Sequence, residues 1–145
     1  MNPKVWGHHA WIFLHSITLN YPTNPTINDI KKHYNFFNNL MYILPCDKCK
    51  YHYKQNLMKY PLTNKILSSR ENLINWLINI HNSVNYMNNK KQFTYDEMIN
   101  KYNDIYNNID NKFIHFNKII IVLIIICIII ILFKDVFINK INGRS

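Results

Sequence analysis

Apolar residues recur along most of the chain at intervals of three and four, with polar residues between them. That spacing lines up side chains on one face of an α-helix. It predicts a first helix over Pro3–Leu19, with Ala10, Leu14, Ile17 and then Tyr21 facing inward. The segment NYPTNPT, residues 20–26, stops it, because each proline lacks an N–H and clashes with the preceding turn. A second helix is predicted over Ile27–Ile43, carrying Ile30, Tyr34, Phe37 and Met41 on one face. Pro45 breaks the chain again, and a third helix is expected from about Cys46 to Tyr60. After PLTNKILSSRE a fourth spans Arg70–Asn88, with Ile74, Leu77, His81, Val84 and Asn88 as its inner stripe. Ser69 suits its N-cap, although Asn72 stands where a capping box would have Glu. A shorter fifth helix is expected over Tyr95–Ile109.

No stretch alternates apolar and polar residues between turn signals, and the only glycines are Gly7 and Gly143. The expected fold is therefore all-α: a four-helix bundle with a short fifth helix. The chain of 145 residues suits one such domain, over residues 1–112, plus an appendage.

The appendage is the run Ile119–Phe133, unbroken hydrocarbon between Lys118 and Lys134. As a helix it rises roughly 22 Å, short of the ~30 Å hydrocarbon core of a bilayer. Apolar neighbours on both sides extend it, and the bounding lysines can snorkel. A helix apolar on every face needs a larger protein around it than this chain supplies. A C-terminal transmembrane helix over residues 116–138 is expected, followed by a polar tail over 139–145. The N-terminus has no apolar core of a secretory signal. With the span so near the end, insertion is expected after synthesis, leaving residues 1–112 facing the cytosol. Lysines and arginine balance across the span and do not test that orientation.

The net charge of +9 changes the picture little. The lysines are scattered, with no arginine-rich run or nucleic-acid-binding signature, so nucleic acid is not an expected partner. A groove for a small anionic cofactor, or attraction to anionic lipid, accounts for the balance equally well.

Chemistry enters with Cys46-Asp47-Lys48-Cys49, just after Pro45. Zinc needs four ligands, and no pair of histidines follows at finger spacing. Haem attachment needs His at position 50, which is lysine. A thioredoxin motif needs a βαβ context, and a merely structural disulfide this short constrains the unfolded chain little. A redox disulfide has a physical basis, because the N–H groups and dipole of a helix N-terminus stabilise a thiolate. Lys48 and Lys50 add positive potential. Thiols react slowly with O2 alone, so an oxidase needs a cofactor beside the pair. Elsewhere Trp11 and His15 are i,i+4 neighbours, as are His81 and Asn85, with Lys90 and Lys91 following. Each also fits ordinary core packing. A membrane-anchored interaction module, holding zinc through Cys46, Cys49 and histidines, is the alternative to an oxidase.

Trp11 and His15 followed by Tyr21-Pro22, then Cys46-x-x-Cys49, then His81-Asn82-x-Val84-Asn85 with a trailing lysine, resemble the Erv/ALR family of FAD-linked sulfhydryl oxidases. The resemblance covers about residues 6–105. It implies a four-helix bundle that holds FAD non-covalently and pairs as a homodimer. Cys46 and Cys49 would be catalytic. Gly7, Trp11, His15, Cys49, His52, His81, Asn82, Val84, Asn85, Lys90 and Phe93 would surround FAD, and no metal is implied. Tyr102 lies roughly where relatives carry a late aromatic contact. Electrons would pass from a protein dithiol through Cys46–Cys49 and FAD to O2, giving hydrogen peroxide, with Cys46 facing the substrate and Cys49 the flavin.

The chain departs from its relatives in three ways. Larger members carry a second, shuttle pair of cysteines, whereas the remaining cysteine here, Cys127, lies mid-span. Substrates, such as a small thioredoxin-like or C-x-x-C relay protein, are expected to reach Cys46 directly. Relatives also tie the fourth helix to the segment after it with a disulfide, where this chain has Ile78 and Tyr95. Finally, Gly7-His8 replaces a Gly-Arg, weakening any phosphate contact at position 8. A minimal domain with an anchor resembles the forms in large cytoplasmic DNA viruses, placing it on a virion or host cytoplasmic membrane. A mitochondrial intermembrane-space enzyme is the rival.

Overall fold

Pro3 starts α1 (Pro3–Leu19), where its missing N–H costs nothing, and the Asn2 side chain accepts the N–H of Lys4 as a cap. The computed structural model describes the backbone of residues 1–142, and all side chains there except those of 109–112, 115, 132–133 and 135–142. The chain divides into two compact units, Met1–Met98 and Ile99–Ser145.

In the first unit α2 (Ile27–Ile43), α3 (Asp47–Lys59) and α4 (Arg70–Met87) follow α1. A one-turn 3-10 helix (Ile66–Ser68) precedes α4. The Thr26 hydroxyl caps the N–H of Asp29, whose carboxylate accepts the Thr26 N–H in return, a capping box that fixes the start of α2. The Ser69 hydroxyl accepts the N–H of Asn72 and starts α4, as expected. The third helix begins one residue later than expected, with Cys46 as its N-cap. The 3-10 turn was not legible in the pattern. It buries Leu67 completely and packs the half-buried Ile66 against the core.

α1 packs on α4, α2 on α3, and α3 on α4, closing the four-helix bundle; no strand occurs among the described residues. Its centre is Phe37, Leu67, Leu73, Leu77 and Ile80, each fully buried. Such burial stabilises by roughly 1.5–3 kcal/mol per side chain. Polar tips tie the layers together. The Tyr21 hydroxyl donates to the carbonyl of Leu67 and Tyr53 to that of Phe37, while the Trp76 indole donates to Tyr60 and Arg70 Nε to the carbonyl of Tyr21. The inner stripes need correction. Tyr34 and Asn88 are exposed, and Leu40, Leu73, Trp76 and Ile80 are buried instead. α4 touches α1, α3 and the 3-10 turn, so its buried face is wider than one stripe.

The expected break between a short fifth helix and a separate transmembrane helix is absent. α5 runs without interruption over Tyr95–Asn142, because no proline or glycine lies between those residues. Among the described residues no helix is long and apolar enough to cross a membrane. The part of the expected span with described side chains, Phe116–Ile131, rises only about 24 Å against the ~30 Å hydrocarbon core. The side chains at 132–133 and 135–138 lie outside the described residues. Throughout Ile119–Ile131 every side chain is exposed.

Candidate active site

Pro45 ends the α2–α3 link, and Cys46 enters α3 in extended backbone, with φ −156° and ψ 121°. That conformation aims its sulfur at the free N–H groups of the first turn. The Cys49 N–H donates to Cys46 Sγ at 3.2 Å, and the two cysteines form a disulfide with their Cα atoms 5.1 Å apart. Both are partly exposed. The electrostatics differ from expectation on one count. Lys50 is engaged by Asp47 at 3.1 Å, so its charge is largely offset. Lys48 keeps its charge free on the exposed side.

One turn on, Tyr53 is buried and its phenol is pushed up by desolvation. It therefore stays a neutral donor to Phe37. His52, between them in sequence, is half-buried with its ring 5.9 Å from that of Tyr51.

The α1–α4 contact assembles the aromatic group. Trp11 and His81 stack face to face, centroids 3.9 Å apart and planes within 5°. His15 Nε2 lies 3.0 Å from His81 Nδ1, with both rings buried. One of these nitrogens carries the shared hydrogen and the other accepts it. Phe93 comes to the same histidine, its centroid 5.9 Å away.

Phe93 arrives there because of how α4 ends. Asn89 adopts φ 53°, the left-handed conformation that asparagine tolerates. Its N–H bonds the carbonyl of Tyr86, and the N–H of Lys90 bonds that of Asn85 at 2.8 Å. This is a Schellman stop, which turns the chain back along the helix. The Asn82 side chain then takes both the N–H and the carbonyl of Phe93, each at 2.8 Å. Asn85 Nδ2 donates to the carbonyl of Lys91 at 3.1 Å.

The structure thus brings Trp11, His15, His81 and Phe93 together, with Asn82 and Asn85 holding the returning chain. Val84 is half-buried on α4, and Lys90 is exposed just past its end. Gly7 lies beside open space, with nothing within 4 Å of where a Cβ would stand. The packing of α3 on α4 sets the relation of the disulfide to the aromatic group. Tyr102 is buried and lies in the α5 segment of the second unit.

Two residues outside the sequence pattern carry unpaired buried nitrogens. Trp6 Nε1 and Asn56 Nδ2 have no hydrogen-bond partner among the described residues. A tryptophan one residue before Gly7, and an asparagine at a helix position of the core face, are the signals that could have marked them.

FAD needs flat apolar faces for its rings, donors for ring heteroatoms and a cation for its diphosphate. The Trp11–His81 slab, the orphaned Trp6 N–H, exposed Lys90 and the space at Gly7 match those needs. A zinc-holding alternative fits poorly. The two cysteines are bonded to each other, and among the described residues no three His, Cys, Asp or Glu side chains converge.

Residues 8–104 match the model of the Erv1 / Alr family. A protein of Acanthamoeba polyphaga mimivirus, named as a probable FAD-linked sulfhydryl oxidase, is 52% identical over 99 residues, covering 68% of this chain and 69% of its own. The FAD-linked sulfhydryl oxidase of African swine fever virus is 31% identical over 97 residues, 67% of this chain and 79% of its own. The crystal structure of the FAD-binding domain of Erv1 from Saccharomyces cerevisiae superimposes with a TM-score of 0.65 at 27% identity, covering 72% of this chain and 96% of that one.

Proposed function

The chain belongs to the Erv1/Alr family, and on that footing we propose that it forms disulfide bonds in protein dithiols, with Cys46–Cys49 as the acceptor pair. It is an enzyme of the thiol-oxidase kind and its cofactor is FAD. The observation that carries the mechanistic reading is the position of the disulfide: Cys46 Sγ sits in the N-cap of α3, accepting the Cys49 N–H.

A substrate thiolate bonds to Cys46 Sγ. The Cys46–Cys49 bond breaks, and Cys49 leaves as a thiolate. The second substrate thiolate then attacks the substrate sulfur of the mixed disulfide, and Cys46 leaves as a thiolate. Two protons are released, the substrate is oxidised to a disulfide and the pair holds two electrons. A lower-pKa thiolate leaves faster, so the capping N–H promotes the last step. FAD, when bound, supplies the two-electron acceptor that restores the disulfide and delivers the electrons to O2 as hydrogen peroxide.

In this reading Trp11 and His81 offer one stacked slab for a cofactor ring, and His15 fixes the tilt of His81. Asn82 and Asn85 act at one remove by pinning Lys90–Phe93. Lys90 serves the diphosphate, Gly7 leaves room, and Val84, Phe93 and His52 pack at the edges. Exposed Val5, Phe13 and Tyr34 on α1 and α2 support pairing with a second copy. We assign membrane anchoring to the apolar part of α5, with the catalytic unit on the cytosolic side and the virus-type setting preferred. What supports it is the sequence of that run and the exposure of its described side chains.

Purified full-length chain tests the reading. A yellow protein that consumes oxygen and releases peroxide with dithiothreitol is expected. A colourless protein, or one inert to dithiols, rules the oxidase out.

A further inference from the structure

Ile43 is 68% exposed, whereas the other isoleucines of the first unit are buried or half-buried, Ile27 apart. Tyr42 before it is 67% exposed, Pro45 after it is exposed, and Tyr51 in α3 is 61% exposed. Apolar groups thus flank the disulfide in sequence on both sides. The charges nearby are one-sided. Asp47 is occupied by Lys50, while Lys48 and Lys54 are exposed without an ion-pair partner among the described residues.

We propose that this rim is a docking surface for a dithiol protein segment carrying an apolar side chain directly before its attacking cysteine and acidic residues nearby. The proposal rests on the oxidase reading above. Its physical reason is the geometry of the mixed disulfide. Two bonded cysteines hold their Cα atoms about 4.4–6.8 Å apart, and the next residue of the partner lies one step of about 3.8 Å further. A substrate that reacts at Cys46 therefore brings its neighbouring residue within reach of the link that holds Ile43 and Pro45. An apolar neighbour removes Ile43 from water at the moment of reaction, and acidic neighbours meet Lys48 and Lys54. A small dithiol gains none of this.

Three short C-x-x-C peptides test it on the full-length, FAD-loaded chain. One carries Leu before the first cysteine and glutamates beyond the second. Another replaces that Leu with Ser, and the last replaces the glutamates with lysines. The Leu peptide is expected to exceed the Ser peptide roughly tenfold in kcat/KM, the scale of a partly buried apolar side chain. It should also exceed the lysine peptide at low salt, with that difference shrinking as salt is added. Ile43→Ser should bring the Leu-to-Ser ratio towards one, and Ile43→Val should restore it. Exposed Ile43 contributes little to the core, so these variants keep the fold. A ratio near one in the native chain, an unchanged ratio in Ile43→Ser, or no preference between glutamates and lysines overturns the docking surface. Turnover of dithiothreitol alongside any of those results leaves the oxidase reading standing; no turnover of dithiothreitol removes both.

Discussion

Asn82 and Phe93 are joined by two hydrogen bonds, the asparagine amide accepting the Phe93 N–H and donating to its carbonyl, both at 2.8 Å. Relatives are expected to tie the same stretch to the fourth helix with a disulfide, at positions that here hold Ile78 and Tyr95. In this chain the two hydrogen bonds tie that stretch to α4. It also decides where the Phe93 ring lies against His81.

Asn82→Ala should therefore cost about 1–3 kcal/mol, because two partly buried backbone groups lose their partners at once. The loss reads as a lowered Tm and as faster hydrogen exchange at the Phe93 amide. Exchange at that amide equal to the native rate would show the clamp to be dispensable.

Cys46→Ser and Cys49→Ser should each abolish oxygen uptake with dithiothreitol while the protein stays yellow. Cys46→Ser retains a capping oxygen for the Cys49 N–H, so α3 should remain as stable as in the reduced native chain. Cys46→Ala should lose about 1 kcal/mol more through the missing cap. Residual turnover in either serine variant contradicts the assigned roles.

Removing His15 as His15→Leu leaves His81 Nδ1 buried without its partner at 3.0 Å. The expected cost is about 1–3 kcal/mol in stability. FAD should also be lost more readily on dialysis, because the Trp11–His81 stack then lacks the hydrogen bond that sets its angle. Native retention of flavin by this variant argues against a positioning role.

Two carboxylates give the acid limb a direction. Hydrogen bonds from Thr26 hold Asp29 below its ordinary value of 3.8, and Lys91 holds Glu97 below 4.5. Folded-state values lower than unfolded ones mean that their stabilisation is fully present above about pH 5. It fades as pH falls through the ordinary carboxylate range and is gone below the folded values. Both groups lie on the surface, so the effect is small and salt-sensitive. Proton titration followed by NMR should find both midpoints low, and Thr26→Ala should raise that of Asp29. Unshifted midpoints would remove this source of pH dependence.

Lysines placed in the exposed apolar run, as Ile124→Lys with Ile128→Lys, should release the full-length chain from phospholipid vesicles into the supernatant of a flotation assay. Charge within hydrocarbon is unfavourable by several kcal/mol per residue. The catalytic rate with dithiothreitol in detergent serves as the check on folding. Equal membrane recovery of native and doubly substituted chains would remove the anchoring assignment.

Much of this protein is determined by local sequence alone. Helix spacing, the prolines at 22, 25 and 45 and the cap at Ser69 locate α1 to α4 within a residue or two, since each signal acts within one turn of backbone. Cys46-x-x-Cys49 and the His81-Asn82-x-Val84-Asn85 motif could be read by the same means. The breadth of the buried face on α4 could not, because it depends on which neighbours pack there, and those are α1, α3 and the 3-10 turn together. Nor could the division of labour among asparagines. Asn82 and Asn85 are expected at the cofactor, and the fold also engages their amides with the backbone of Phe93 and Lys91. Trp11 and His81 lie far apart in the chain, and only the packing of α1 on α4 turns them into one stack. Local rules fix where the backbone turns; the pairing of distant side chains is set by the closed core.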